Sequence, residues 1–322
     1  MSTPDQPREH RTQQFGEKPH QAADATLDTA AQTPAETDEF QTPELVAEVH
    51  DHSGQKYGVM SEGDGVYALY DSNGKFVTEY SHTGVFDLET TGIDPAVARI
   101  VTAYVGVLDE KGNIVFGREW MITPDGYEIP EAAANVHGVT TEQALAEGRP
   151  FAEVIPEILD ALDVLRQQGI PIVAHNASYD FTLIAHEAAR AGHEDPVSFV
   201  EGLSIIDTFV VDKQMDPYRK GKRTLTATAP VYGVELSEEE AHGAAADAIA
   251  AGRIAITMLV RPELAKTTPA ELTKAQRGWS RAQRASLEAY RKKTDPGFTI
   301  DKNWPLYESA LALRAPAEVY TF

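Results

Sequence analysis

Asp87 and Glu89 stand two residues apart in VFDLETTG (residues 85–92), a stretch whose Val85, Phe86 and Leu88 otherwise mark a buried β-strand. On a strand, residues two apart point to the same face, so both acids project together just before a Gly turn. Adjacent carboxylates repel unless a cation sits between them, and oxygen-rich sites suit Mg²⁺ or Mn²⁺. A surface pair on an edge strand, neutralised by Lys or Arg, is the competing reading, and D-x-E alone does not decide between the two.

A second group lies in VAHNASYDFTLI (173–184), where an apolar strand ends in His175-Asn176 and Asp180 opens the next helix. An acid there also answers the helix dipole, and His175 and Asn176 also serve simply to hydrogen-bond the turn. The third group is HGAAADA (242–248). His242 reads as the start of a helix and Asp247 as its second turn, too deep for capping. On an Ala-rich face packed against a sheet, an unpartnered acid is costly. Together, Asp87, Glu89, Asp180, His242 and Asp247 each fall at a strand end or in the opening turns of a helix, where an α/β sheet forms its site. Such a set suits phosphoryl chemistry with two metal ions about 4 Å apart, one activating water and one stabilising the leaving oxygen.

The elements that must hold these residues follow from periodicity. Strands are expected near 84–89, 99–108 and 114–122, helices at 151–168 and over YDFTLIAHEAARAG, and strands over IPIVAHN and LSIIDTFVV. A long helix covers HGAAADAIAAGRIAITMLV. The α/β domain spans 83–262, and because strands come early and crossover helices late, its sheet is expected to be mixed. Ahead of it, KYGVMSEGDGVYALYDSNGKFVTEY has hairpin turns at EGDG and DSNG, giving a small antiparallel meander over 45–82. Residues 1–44 are acidic and poor in apolar periodicity, so they are expected to be disordered. Residues 263–322 read as a separate C-terminal helical unit. On its helix Leu272, Ala275, Trp279, Ala282, Leu287 and Tyr290 form an apolar face, opposite a basic stripe of Lys274, Arg277, Arg281, Arg284 and Arg291.

These motifs resemble those of the DnaQ-like (DEDD) 3′→5′ exonucleases, relatives of the proofreading ε subunit of bacterial DNA polymerase III. FDLETTG is similar to the family's first motif, HNASYDF to its second and HGAAADA to its third. NVHGVT (135–140), IIDT (205–208) and GKRTL (221–225) match segments between them, so the resemblance covers about 83–262. A His five residues before the last Asp, rather than a Tyr four before it, puts the chain with the histidine (DEDDh) branch. The resemblance implies a ribonuclease H-like α/β fold with a mixed sheet flanked by helices. It also implies two divalent cations, Mg²⁺ or Mn²⁺. Asp87, Glu89 and Asp247 would hold the ion carrying the attacking water, Asp87 with Asp180 the second, and His242 would be general base. Gly92 would let the backbone turn sharply beside the substrate. His137 and Thr90 would lie at the terminal nucleotide, Asn176 would also bind substrate, and Lys222 and Arg223 of YRKGKR would contact upstream phosphates.

The implied substrate is the single-stranded 3′ end of DNA or RNA, with DNA favoured and nucleoside 5′-monophosphates as products. Two alternatives stay open: a proofreading-type subunit with a polymerase or repair partner, and a ribonuclease or oligoribonuclease acting on RNA ends. A non-catalytic scaffold is disfavoured because every carboxylate is present. The formal charge of −22 over 322 residues argues against nucleic acid only in aggregate. Ten acids and three bases fall within residues 1–48, whereas bases gather in YRKGKR and between Lys274 and Lys293. There is no cysteine for thiol or disulfide chemistry and no long apolar run, so the expectation is a cytoplasmic protein without membrane contact.

Overall fold

A computed structural model of the chain describes residues 44–50, 56–63, 66–70, 82–237, 241–261, 264 and 267–314, the first three stretches by backbone alone. All of them belong to one compact unit, residues 41–322. The acidic tail lies outside the described residues, as does the DSNGKFVTEY end of the expected meander. What the meander retains is an antiparallel sheet of β1 (Glu44–His50), β2 (Lys56–Gly63) and β3 (Val66–Tyr70). Gly63 pairs with Val66 across the EGDG turn.

The second sheet comprises β4 (His82–Thr90), β5 (Ile100–Asp109), β6 (Ile114–Met121), β7 (Ile172–Ala174) and β8 (Ile205–Asp207). Its order is β6-β5-β4-β7-β8, antiparallel over the first three strands and parallel from β4 to β8, the mixed ribonuclease H-like arrangement. Around it run α1 (Glu131–His137), α2 (Thr141–Glu147), α3 (Phe151–Gln167), α4 (Ser178–Arg190), α5 (Pro196–Glu201), α6 (Thr208–Met215), α7 (Leu225–Thr228), α8 (Ala244–Leu259), α9 (Pro269–Arg291) and α10 (Glu308–Leu311).

The pleat of β4 sorts core from chemistry. Phe86 and Leu88 face the main core, shared with Ile155 and Ile158 of α3 and Phe181 and Ile184 of α4. Val85 faces the other way, packing with Tyr104, Ala244 and Ala248 beneath α8. Asp87 and Glu89 share that second face by the period of two. Glycine sets how closely α8 approaches: a Cβ on Gly252 would sit 2.4 Å from Val85 Cγ1 and 2.7 Å from Leu108 Cδ1. The Ala-rich sequence of α8 is thus the price of bringing Asp247 down onto β4.

Three expectations need correction. LSIIDTFVV is not one strand: β8 stops at Asp207, whose carboxylate accepts from the N–H groups of Phe209 and Val210 and caps α6. The β-branched residues after it pack as a helix because the cap decides where the strand ends. Residues 264–314 are not a separate unit either, since Leu264 and Leu272 join one core cluster of the α/β body and Trp304, Leu306 and Ala310 join the main core. Finally, only the N-terminal part of the apolar face assigned to α9 is covered. Leu272 is buried and Trp279 partly so, but Ala282, Leu287 and Tyr290 are exposed. The buried stripe is partly polar, with Thr273, Gln276 and Ser280.

The reason lies at the sheet edge. An edge strand leaves backbone groups unpaired, and α9 supplies side chains in place of a sixth strand. Thr273 Oγ1 accepts from Ile205 N (3.0 Å), Gln276 Nε2 donates to Ile205 O (2.8 Å), and Gln276 Oε1 accepts from Asp207 N (2.7 Å). No helix among the described residues is long and apolar enough to cross a membrane.

Candidate active site

Asp87 and Glu89 occupy the C-terminal end of β4, opposite Tyr104 and Thr102 of β5, and the register slips between Glu89 and Thr90. Such a bulge bends the strand and re-aims its side chains. Asp247 arrives from the first turn of α8, so Asp87, Glu89 and Asp247 each place a carboxylate oxygen within 4.8 Å of the other two. Asp180, in the first turn of α4, is buried outside this trio and is the strongest acidic neighbour of Asp87.

Burial pushes every one of these acids toward its protonated form, and neighbouring acids add to it at Asp87, Glu89 and Asp180. Asp87 is raised well above the carboxylate range by burial, then by Asp180, Asp247 and Glu89. Burial, then Asp247 and Asp180, lift Glu89 to about 8. Asp180 is raised well above its ordinary value, first by burial, although hydrogen bonds from its own backbone and from that of Leu88 pull the other way. Burial raises Asp247 as well, opposed by the His242 backbone N–H. Among the described residues no lysine or arginine counters any of the four, and the one opposing side-chain charge is the His242 ring beside Asp247. An all-carboxylate set, half-buried at Asp87, Glu89 and Asp247 and buried at Asp180, paired with no lysine or arginine among the described residues, fits hard divalent ions.

His242 is exposed and adopts a left-handed backbone (φ 71°), uncommon for a residue with a Cβ. That turn delays α8 to Ala244 and corrects the expected register. Asp247 lies in the first turn rather than the second, and its Oδ1 accepts from His242 N at 3.3 Å. The acid is therefore within reach of a backbone donor after all.

Gly92 departs from its expected role. Its φ is not positive, and a Cβ there would meet nothing within 4 Å. What the structure uses is its carbonyl, which accepts from Thr90 Oγ1 (3.0 Å) and from the Tyr179 hydroxyl. Thr90 Oγ1 and Tyr179 OH lie 2.6 Å apart, tying the loop after β4 to α4. Sequence reasoning passed over Tyr179, although its place beside Asp180 was a signal.

His137 ends α1 on the other flank of Glu89. Its Nδ1 accepts from Val139 N (3.2 Å), while Nε2 is buried without a hydrogen-bond partner among the described residues. A cleft of about 300 Å³ opens there, lined by Glu89, Trp120, Met121, His137, Val139 and Ala244, among others. Asn176 is exposed at φ 67° between β7 and α4, and its N–H donates to Asp207 Oδ1 (3.0 Å). Lys222 is exposed. Arg223 is placed differently: its guanidinium binds Asp212 and the Asp216 carbonyl, leaving that side chain about 10% exposed.

A second missed residue is Asp207, 1% exposed. Besides Asn176 and the first turn of α6, it accepts from Trp304 Nε1 (3.1 Å), far along the chain. An acid inside an apolar run was the available signal for Asp207. Nothing in the sequence pointed to Trp304.

Comparison with known proteins agrees with this geometry. Two curated relatives align with part of the chain: DNA polymerase III PolC-type of Thermotoga maritima, 32% identical over 100 residues, and of Thermotoga petrophila, 36% over 101. Each alignment covers 31% of this chain and only 7% of the polymerase. Among solved structures, the zinc-bound complex of E. coli exonuclease I with single-stranded DNA aligns at 21% identity and TM-score 0.50, over 64% of this chain and 45% of that one. Another exonuclease I structure aligns at 22% identity and the same score, over 57% and 42%. Both show the same fold. The RNase_T model, described as exonuclease, matches residues 85–255. That match spans more than half of the chain and includes Asp87, Glu89, Asp180, His242 and Asp247; the chain belongs to this DnaQ-like exonuclease family.

Proposed function

We propose that the chain is a metal-dependent 3′→5′ exonuclease that hydrolyses the terminal phosphodiester of single-stranded nucleic acid, DNA before RNA. The observation that carries this reading is the set of four carboxylates, Asp180 buried and Asp87, Glu89 and Asp247 half-buried, three of them with oxygens within 4.8 Å of one another and none paired with a lysine or arginine among the described residues. Two divalent ions, Mg²⁺ or Mn²⁺, would supply Lewis-acid stabilisation of the phosphate and a more acidic water. Asp87, Glu89 and Asp247 would hold one, and Asp87 with Asp180 the other. His242, exposed beside Asp247, takes the proton from the attacking water. The bond from phosphorus to the 3′-oxygen breaks, and a nucleoside 5′-monophosphate leaves. The cleft beside His137 receives the terminal nucleotide: Trp120, Met121 and Val139 offer an apolar wall, and the unpartnered His137 Nε2 a polar contact. The likeness to PolC-type polymerases favours one further reading, a proofreading role beside a polymerase partner.

The test uses 5′-labelled DNA and RNA of one sequence with Mg²⁺ or Mn²⁺. A ladder shortening from the 3′ end, abolished by EDTA and reduced about 10²- to 10⁴-fold in His242→Gly, is the expected result. A glycine is at home at φ 71°, so that variant removes the imidazole without straining the turn. Shortening from the 5′ end, or none with either polymer, would overturn the proposal.

A further inference from the structure

We infer that Tyr179 is a positioning residue of the proposed reaction: its hydroxyl holds Thr90 as a hydrogen-bond acceptor for the sugar hydroxyl at the 3′ end of the strand. The inference rests on the exonuclease reading and names the group that fixes the terminal sugar.

Three oxygens meet just past the end of β4. The Gly92 carbonyl lies within hydrogen-bond reach of Thr90 Oγ1 (3.0 Å) and of the Tyr179 hydroxyl, and the two hydroxyl oxygens are 2.6 Å apart. Each hydroxyl has one proton, so three contacts share two protons. Were both protons on the carbonyl, two oxygens would face each other at 2.6 Å with nothing between them. One hydroxyl therefore donates to the other, and that one to Gly92. In either order both protons stay inside the triangle, and Thr90 Oγ1 keeps a free lone pair. Toward the substrate Thr90 thus accepts and does not donate, which suits a sugar hydroxyl and not a phosphate oxygen. Burial raises the Tyr179 phenol to about 12, so its proton stays in place through neutral and mildly alkaline pH. Thr90 is half-buried and follows Glu89, which lines the cleft beside His137.

The loop between β4 and β5 is bound to α4 along both of its limbs, by different residues. On the return limb Arg190 donates to Ala96 O (2.7 Å) and Ala98 O (3.3 Å), and Glu187 accepts from Arg99 Nε (2.8 Å). Those bonds secure the chain as it enters β5. The outgoing limb begins at the register slip between Glu89 and Thr90, and the Tyr179 hydroxyl ties it to α4. Tyr179 immediately precedes Asp180 in the first turn of that helix. The tie therefore joins the residue after Glu89 to the residue before Asp180, two acids that hold different ions in the proposed mechanism. Phenylalanine at 179 would keep the ring and lose the tie. Thr90 would then be free to turn its proton outward, and the limb free to shift against α4.

The test measures binding of two ligands to the full chain with Mn²⁺ by calorimetry. One is thymidine 5′-monophosphate, and the other its 2′,3′-dideoxy analogue, which lacks the sugar hydroxyl. Tyr179→Phe is expected to weaken the first about 3- to 10-fold and the second less than about 2-fold, the range of one neutral hydrogen bond against none. Once Thr90→Val has removed the acceptor, adding Tyr179→Phe should change neither affinity, because the phenol acts through Thr90. Arg190→Gln loosens only the return limb and is the control for a purely structural role. It should lower the melting temperature and leave the ratio of the two affinities at its wild-type value. Equal losses for both ligands in Tyr179→Phe, an unchanged ratio, or no binding of the monophosphate would overturn the inference. Shortening of 5′-labelled DNA by the wild-type protein reports the catalytic reading separately. Its absence would sink that reading while the ratio of affinities still decides the role of Tyr179.

Discussion

Acids drawn into the interior of this fold are treated in two opposite ways. Asp212 is 1% exposed, yet it holds Arg219, Arg223 and the Tyr232 hydroxyl, so every charge it brings into the interior is answered by the protein. Asp87, Glu89 and Asp180 are raised by burial and by neighbouring acids, Asp247 by burial, and among the described residues no lysine or arginine pairs with any of them. A paired buried acid is part of the framework. A set left unpaired by the chain is a place kept for a cation from outside, and its cost to folding is a property of the empty site.

The sharpest way to break that comparison is to neutralise one acid in each group. Asp87→Asn should lower exonuclease rates by about 10³-fold or more, because it removes a group worth several kcal/mol of charge stabilisation at the phosphate. Yet the same variant should melt higher than wild type in EDTA, since one repelling charge is gone. Asp212→Asn should do the reverse to stability, costing about 3–5 kcal/mol by leaving two guanidiniums buried with a weakened partner. Melting curves of both proteins in EDTA, with rates on labelled DNA, check the pair. If Asp87→Asn melts lower than wild type, the acids of the metal face are structural and the contrast fails.

The pH dependence should separate the groups next. Glu89 moves from an ordinary 4.5 to about 8, so between those values the folded protein holds a proton that the unfolded chain releases. Stability of the metal-free protein is therefore greatest on the acid side and falls as pH rises through about 8. Divalent ions compete with those protons, so Mn²⁺ should raise the melting temperature strongly at pH 8.5 and little at pH 5. Thermal shift across that range, with and without Mn²⁺, measures it. A shift equal at both ends would mean the ions bind elsewhere.

How much of this was legible beforehand follows the same division. Asp87, Glu89, Asp180 and Asp247 stand out because an acid at a strand end or in an Ala-rich helix contradicts its local pattern. The strands and helices around them follow their periodicity. What escaped depended on partners distant in sequence. Arg223 looks like a surface base in YRKGKR until Asp212 is seen to claim it. The inner face of α9 looks apolar by spacing, whereas the sheet edge requires Thr273 and Gln276 instead. The left-handed turn at His242 is tolerated but not dictated by a histidine, and it starts α8 at Ala244, which brings Asp247 into the first turn.

Asp207 belongs to both regions and gives the smallest but most discriminating effect. It is buried, its charge adds to that felt by Asp180, and it is nonetheless satisfied, by Asn176 on the metal side and by Trp304 from beyond the residues the family match covers. Trp304→Phe keeps most of the ring in the core but removes the indole N–H, leaving one carboxylate oxygen buried without its donor. The loss of stability should be about 1–3 kcal/mol. If Asp207 merely supports the fold, metal dependence in the surviving folded protein will not change. If it also fixes the Asn176 turn that aims Asp180, the Mn²⁺ concentration for half-maximal rate should rise several-fold while the rate at saturating Mn²⁺ stays near wild type. Rates against Mn²⁺ concentration at a temperature where both proteins are fully folded would tell these apart, and a shifted half-saturation would make the C-terminal extension part of the metal site's framework.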